Sequence, residues 1–141
     1  MPTEPYAEDL NYWRTGNSAP DSWIDRARRE IVSVGGKVVQ EAYGSESGRA
    51  AFLLAFQIAG ESYRVVWPVL RSRAGNDRAA KIQAATFLYH EIKARCMTAK
   101  VLGARASFFN YLVFPDGRTA VQLSAPELAD RYPRLLAAPP D

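Results

Sequence analysis

The sequence predicts a single α+β domain in which two main helices pack on an antiparallel sheet, with its elements in the order α-β-β-β-α-β-β-α. The first segment is amphipathic and is bounded by residues that start and end helices. Three short apolar runs separated by turn residues follow it, and a long Ala-rich stretch comes after them. At 141 residues, 48% of them hydrophobic, the chain has the size of one domain and can bury a core without disulfides. We expect an N-terminal arm at residues 1–17, the domain at 18–136 and a C-terminal tail at 137–141.

Helix punctuation separates the arm from the first helix. Residues 1–17 combine Pro, Gly, Asn and acids with scattered aromatics, so we expect an arm that is flexible at its start and docks locally. Ser18 is the expected N-cap, Pro20 falls in the first turn, and Gly35 with Gly36 ends the helix. The apolar stripe of this helix consists of Trp23, Ile24, Ala27, Ile31 and Val34. Such a stripe predicts a helix laid on a sheet.

Three runs at residues 37–43, 50–59 and 62–70 predict an antiparallel meander, because turn compositions lie between them. Residues of alternating position share one face of the last two strands and are expected to build the core: Phe52, Leu54, Phe56, Ile58, Tyr63, Val65, Trp67 and Val69. Arg64 should point away from that face. Pro68 donates no backbone hydrogen bond, so the third strand is expected to lie at an edge or to leave the sheet there.

A second, longer helix is predicted from Asn76 to Leu102, since this stretch lacks Gly and Pro and Gly103 follows it. Its apolar stripe consists of Ala85, Leu88, Tyr89, Ile92, Cys96 and Ala99. Residues 107–114 and 118–123 read as the strands of a β-hairpin around a Pro-Asp-Gly turn. A short helix capped by Ser124 is expected after the hairpin.

The residues that usually carry catalysis or bind metals occur singly. His90-Glu91 resembles the start of a zinc-protease motif, but Ala94 stands where the second His would be needed. Cys96 lies on the apolar stripe, where a free thiol packs as a small hydrophobe. We therefore predict no catalytic residue, no metal site and no cofactor. A low-probability alternative is a nuclease with a non-standard site, since Glu91 and Lys93 spell E-x-K, but side chains two apart on a helix diverge.

The compartment follows from what the sequence lacks. A single Cys permits no internal disulfide, the N-terminus has no basic, apolar leader, and no run reaches the roughly twenty apolar residues of a membrane span. We expect a cytoplasmic protein without membrane contact.

Positive charge is concentrated in one part of the chain. Between Arg71 and Arg105 eight cations face only Asp77 and Glu91, a net of +6, whereas the whole chain carries +3. Such a block can bind phosphates of DNA or RNA, although an ordinary solvated helix face has the same composition. The candidate nucleic-acid contacts are Arg71, Arg73, Arg78, Lys81, Lys93, Arg95 and, on the predicted hairpin, Arg118.

Aromatic residues at expected surface positions favour a protein partner instead. Tyr12 and Trp13 lie in the arm, and Phe109 and Tyr111 share one face of the predicted strand 107–114, whose other face is also apolar. These four residues are the candidate protein interface, for a host protein or for self-association.

The layout α-β-β-β-α with Ala80-Lys81-Ile82-Gln83-Ala84-Ala85 on its last helix is similar to the double-stranded-RNA-binding domain. That resemblance implies that cations at the start of the helix, here Arg78 and Lys81, straddle phosphates. The chain departs from the family because it lacks the paired lysines before the helix and the G-P-x-H loop between the first strands.

A second resemblance covers residues 24–123. The strand end at 63–68, the stretch Ile-Lys-Ala-Arg at 92–95 and the run Phe-Phe-Asn-Tyr-Leu-Val-Phe-Pro-Asp-Gly-Arg-Thr at 108–119 resemble an uncharacterised family of short phage and prophage proteins. Members usually carry Trp-Arg shortly before the Ile-Lys-Ala-Lys stretch, where this chain has Ala85-Thr86. The resemblance implies a mobile-element origin and supplies no activity.

Together these observations predict a non-catalytic, nucleic-acid-associated accessory protein of a phage, prophage or integrated element. The alternative is a protein-binding inhibitor or adaptor acting on host machinery, such as an anti-CRISPR or anti-restriction protein.

Overall fold

The computed structural model describes residues 4–14, 18–46 and 49–124, and it confirms the α+β class. Four helices are present in the described residues: α1 (Pro20–Ser33), α2 (Asp77–Leu102), α3 (Ala104–Phe108) and α4 (Ala120–Ser124). Three antiparallel strands form one sheet in the order β1 (Lys37–Glu46), β2 (Arg49–Ile58) and β3 (Glu61–Val69). Single 3₁₀ turns lie at Ala7–Asp9 and Phe109–Tyr111.

One face of the sheet packs against both long helices, as the alternation in the sequence predicted. The predicted residues of β2 and the first half of β3 are buried there, while Trp67 and Val69 are half-buried at the margin of the core. Ile24, Ala27 and Ile31 of α1 meet them from one helix. From α2 come Ala85, Leu88, Ile92 and Cys96, on the predicted stripe. The N-caps are Ala19 for α1, so Ser18 is not its cap as expected, and Asn76 for α2.

Among the described residues, the outer edge of β3 is unpaired over most of its length. Its pairing with β2 occupies one side, and on the other side the amide of Val113 donates to the carbonyl of Ser62 at 2.9 Å. Because backbone groups alternate sides along a strand, residues 64, 66 and 68 also direct theirs outward. The missing N–H of Pro68 would therefore point to the outward side of β3, where no described strand pairs with it. This confirms the predicted edge.

The opposite face of the sheet is covered at Arg64, where we expected only a side chain pointing away from the core. Arg64 is 4% exposed, and its guanidinium donates to the carbonyl of Gly117 and, at 3.1 Å, to Oε1 of Gln122. Burial lowers the pKa of this guanidinium. No carboxylate among the described residues pairs with it, and its Nε has no partner there. Arg64 therefore tethers the segment after the turn to the sheet.

The predicted second hairpin is reduced to two isolated bridges, Tyr63 with Leu112 and Val113 with Thr119, so its long strands were a wrong prediction. The run that was expected to be its first strand is helical through residue 111. Ser107 explains the difference, because its hydroxyl donates to the carbonyl of Arg95 at 2.5 Å and holds this helical run against α2.

The turn at Gly117 is present as predicted, but a helix follows it where a strand was expected. Gly117 has φ 85°, and its amide donates to the carbonyl of Phe114 at 2.8 Å. Thr119 and Gln122 then form a reciprocal capping pair, with Gln122 Oε1 accepting from the Thr119 amide at 2.9 Å, and this cap starts α4. Ser124 consequently lies within a helix that begins at Ala120, rather than capping the start of one. The predicted helix beyond Ser124 and the tail at 137–141 lie outside the described residues.

Gly36 follows α1 at a point where Ile31 of that helix and Ile58 of β2 leave no room for a side chain, and it yields a stability prediction. A Cβ at this position would lie 2.9 Å from the backbone oxygen of Ile31 and 2.9 Å from Cγ1 of Ile58. We expect Gly36→Ala to lower the free energy of unfolding by roughly 2–3 kcal/mol, because rigid neighbours must move. Gly60→Ala is the control for backbone strain alone, since Gly60 has φ +80° and open space around it, and its cost should be about 1–2 kcal/mol. Urea denaturation measures both values, and equal losses would contradict the close packing.

Candidate nucleic-acid interface

The N-terminal arm docks beside the start of α2. Ala7 is fully buried, and its amide donates to the carbonyl of Arg71 at 2.8 Å. Gln83 of α2 anchors the arm, because its Nε2 donates to the carbonyls of Ala7 at 2.7 Å and Asn11 at 2.9 Å. The described part of the arm, residues 4–14, is therefore tied to α2 and to the loop before it.

Two acidic residues of the arm bind to that loop, at residues 72–74. Glu8 accepts from the hydroxyl of Ser72 at 2.6 Å, the amide of Arg73 at 2.9 Å and the amide of Ala74 at 3.2 Å. Asp9 accepts two bonds from the guanidinium of Arg73, at 2.7 and 2.9 Å. Arg73, one of the predicted phosphate contacts, is thus neutralised by the arm.

The same contacts make the docking of the arm sensitive to pH. The hydroxyl of Ser72 and the backbone amides lower the pKa of Glu8 from 4.5 to about 2. Since the folded pKa is depressed, the stabilisation is complete above the ordinary value of 4.5 and is lost as pH falls toward 2. We expect Glu8→Gln to have a lower melting temperature than the unmodified protein at neutral pH. The melting temperatures of the two proteins should converge as pH approaches 2. A gap in melting temperature that stays constant across this range would contradict the assignment.

Three of the predicted cations, Arg71, Arg78 and Lys81, lie just before or within the first two turns of α2, and we name this group the basic corner. The Nζ of Lys81 lies 4.0 Å from the centroid of the Tyr43 ring, which is 43% exposed. Arg71 lines the same shallow pocket as Tyr43, and Arg78 stands one helical turn before Lys81.

The basic corner retains a net positive charge. None of its three cationic side chains forms an ion pair within residues 4–14, 18–46 and 49–124. One carboxylate, Asp77, lines the pocket beside Arg71. Burial raises the pKa of Tyr43, and the nearby charge of Asp77 raises it further. Glu8 bonds to Ser72, which lines the same pocket, so three cations lie near two acids, Asp77 and Glu8.

The remaining predicted cations lie elsewhere. Lys93 is twelve residues further along α2 than Lys81, about 18 Å away at the rise of a helix, and its Nζ lies 5.9 Å from the ring of Tyr89. Arg95 pairs with Glu91 and also donates to a backbone carbonyl. Arg118 pairs with Asp116 of its own turn. The structure does not join these three residues to the basic corner.

An apolar cleft of about 360 Å³ follows the outer edge of β3 next to the basic corner. Val66 and Pro68 from one face of the strand and Trp67 from the other all line it, so the cleft runs along the strand edge. Leu70 lines both the cleft and the pocket of the basic corner. Pro5 and Leu10 of the arm, Phe87 of α2, Tyr111 and Val121 complete its walls.

Gln83 is the principal polar side chain in this cleft. It is 1% exposed, and its Nε2 is engaged by the two carbonyls of the arm. That engagement identifies the other terminal atom as the acceptor oxygen. Gln83 lines the cleft, and no hydrogen bond to its Oε1 comes from the residues that the structure describes.

Three of the four predicted interface aromatics are half-buried. Tyr12 stacks on His90 with ring centroids 4.9 Å apart, Trp13 lies beside it in the arm, and the hydroxyl of Tyr111 bonds to Glu91. Burial and this bond raise the pKa of Tyr111. Only Phe109, 48% exposed, presents a large part of its ring to solvent within this set.

The residues with catalytic potential are packed into the fold. His90 is half-buried among Tyr12, Trp23 and Tyr89, and burial lowers its pKa. Cys96 is buried as predicted, and burial raises the pKa of its thiol to about 11. Glu91 and Lys93 lie on helix α2, where E-x-K side chains diverge.

Within the described ranges no group of three or more His, Cys, Asp or Glu residues is placed to hold a metal ion. No helix in the same ranges is both long and apolar enough to cross a membrane. Comparison with known proteins finds no matching family model, no matching curated protein and no matching solved structure.

Proposed function

We propose that the protein binds nucleic acid without catalysis, through phosphate contacts at the basic corner. The observation that carries the proposal is that Lys81 contacts the exposed ring of Tyr43, Arg71 lines the same pocket and Arg78 stands one helical turn before Lys81. None of these three cations forms an ion pair with the described residues. Cations beside an aromatic ring are the two elements that bind the backbone and the bases of a strand.

The position of these cations supports a role in binding rather than in stability. Arg78 and Lys81 lie in the first turns of α2, where the positive end of the helix dipole disfavours cations. A stabilising surface charge there would be acidic, as Asp77 is. Cations that the fold does not use for pairing remain free to release counterions from bound phosphates.

The size of the corner sets the expected strength. Three phosphate contacts predict weak, salt-sensitive binding, with log affinity falling against log salt at a slope of about −2 for a single strand. The resemblance to short phage proteins favours an accessory role for this binding on a mobile element, inside the bacterial cytoplasm.

Fluorescence anisotropy with labelled single- and double-stranded DNA and RNA, measured over a range of salt concentrations, tests the proposal. We expect micromolar binding at low salt that weakens with the slope given above. Absence of binding to all four probes at low salt would refute the proposed function.

A protein-binding role is the second candidate, and one observation favours it. Met97, Val101 and Leu102, at the end of α2, are 62%, 82% and 64% exposed, far more than apolar residues usually are on a helix that packs on a sheet. These residues lie at the opposite end of α2 from the basic corner. If Val101→Lys with Leu102→Lys abolishes a protein complex or self-association while nucleic-acid binding persists, this surface has its own partner.

A further inference from the structure

We propose that the apolar cleft receives one unstacked base of a single-stranded nucleic acid whose phosphates lie on the basic corner. This inference rests on the proposed function and assigns a role to a second site. The shared wall at Leu70 brings the two sites together, so a strand crossing Leu70 reaches both.

The walls of the cleft have the chemistry that a base requires. Trp67 and Phe87 stand in the wall with ring planes 30° apart and centroids separated by 6.2 Å, and they offer aromatic surface for stacking. None of the described residues that line the cleft is charged, so a neutral group is favoured over an ion, whose charge would be unpaired there. Bases are neutral at pH 7, and their charge is carried by the phosphates outside.

Gln83 supplies the polar contact. Its Nε2 is held by the arm, so its Oε1 is the atom that would accept an N–H from the Watson–Crick edge of an unpaired base. Because every base carries such a donor, this contact tolerates different sequences.

The cations beside the cleft favour a nucleic-acid strand over an apolar peptide as its occupant. An apolar peptide would fill the cleft equally well, but it would leave the three cations at the adjoining corner without ion-pair partners among the described residues. A nucleic-acid strand matches both surfaces at once, with its phosphates on the cations and a base in the cleft. A duplex matches only the corner, because its bases are stacked and paired unless one is flipped out.

The test compares three probes on the unmodified protein: a short oligothymidylate, the same backbone with abasic sites throughout, and a duplex of equal length. We expect the oligothymidylate to bind at least about tenfold more tightly than the abasic strand, since each stacked base contributes substantially to affinity. Equal affinity for the oligothymidylate and the abasic strand would overturn the inference and leave the proposed function standing. No binding of any probe would remove both.

Trp67→Leu provides the matched protein variant, because it deletes an aromatic wall at the margin of the core and keeps an apolar side chain there. Its thermal unfolding is recorded first to confirm a folded protein. We expect the variant to lose most of the preference for the oligothymidylate while its affinity for the abasic strand stays within about twofold of the unmodified value. An undiminished preference in the folded variant would contradict the role of the cleft. If Trp67→Leu fails to fold, Phe87→Leu takes its place with the same criteria.

Discussion

Phe108→Ala should lower the free energy of unfolding by roughly 3–5 kcal/mol, the largest effect of any single substitution considered for this protein. Phe108 is fully buried, and its ring lies 5.2 Å from that of Phe56 and 5.6 Å from that of Tyr63. Truncation leaves a cavity between the sheet and α3 that these rings cannot fill. Denaturant unfolding followed by circular dichroism measures the loss.

Phe109→Ala is the matched control, one residue further along the chain. Its ring is nearly half exposed and contacts Phe114 at 6.1 Å, so its loss should be below about 1 kcal/mol. Similar losses at the two positions, or a larger one for Phe109, would mean that the segment after α3 is packed differently. If Phe108→Ala is unfolded, Phe108→Leu keeps the comparison measurable.

Reversing two charges of the basic corner should have the largest effect on binding. In Arg78→Glu with Lys81→Glu, two phosphate contacts become repulsive, so we expect at least a tenfold loss of affinity at low salt and a salt slope close to zero. The stability cost is small, because the exposed contact of Lys81 with the Tyr43 ring contributes at most about 1 kcal/mol.

Lys93→Glu with Arg118→Glu is the control, since it changes the net charge by the same amount away from the corner. Both residues are exposed on other parts of the surface. We expect this variant to keep most of its affinity and nearly the full salt slope. Equal losses in the two double variants would show that binding follows net charge rather than the corner.

The first five main elements could be predicted from the sequence because each carries local signals. Gly35 and Gly36 end α1, and Gly103 ends α2, while the alternation in β2 and β3 identified the buried face. The predicted hairpin failed where tertiary contacts outweighed the local pattern, since the run from residue 107 is apolar enough for a strand but is held to α2 by Ser107. The Thr119 and Gln122 pair was a readable helix-cap signal that was missed.

The candidate site was anticipated only in part. Arg71, Arg78 and Lys81 follow from the charge pattern, whereas the neutralisation of Arg73 depends on Asp9, more than sixty residues away in sequence. The cleft could not be predicted, because its walls come from the arm, β3, α2 and the segment after α3. Tyr43 did carry a signal, as an aromatic residue beside polar neighbours at the end of a predicted strand.

The central claim is that one corner of the molecule, around the start of α2, contacts nucleic acid. Amide chemical-shift mapping by NMR during titration with a short single strand tests it most directly, because it locates the contact without any substitution. We expect shifts at Tyr43, at residues 66–71 and at residues 78–87. Shifts confined to Lys93 and the exposed end of α2, or none at low salt, would contradict it.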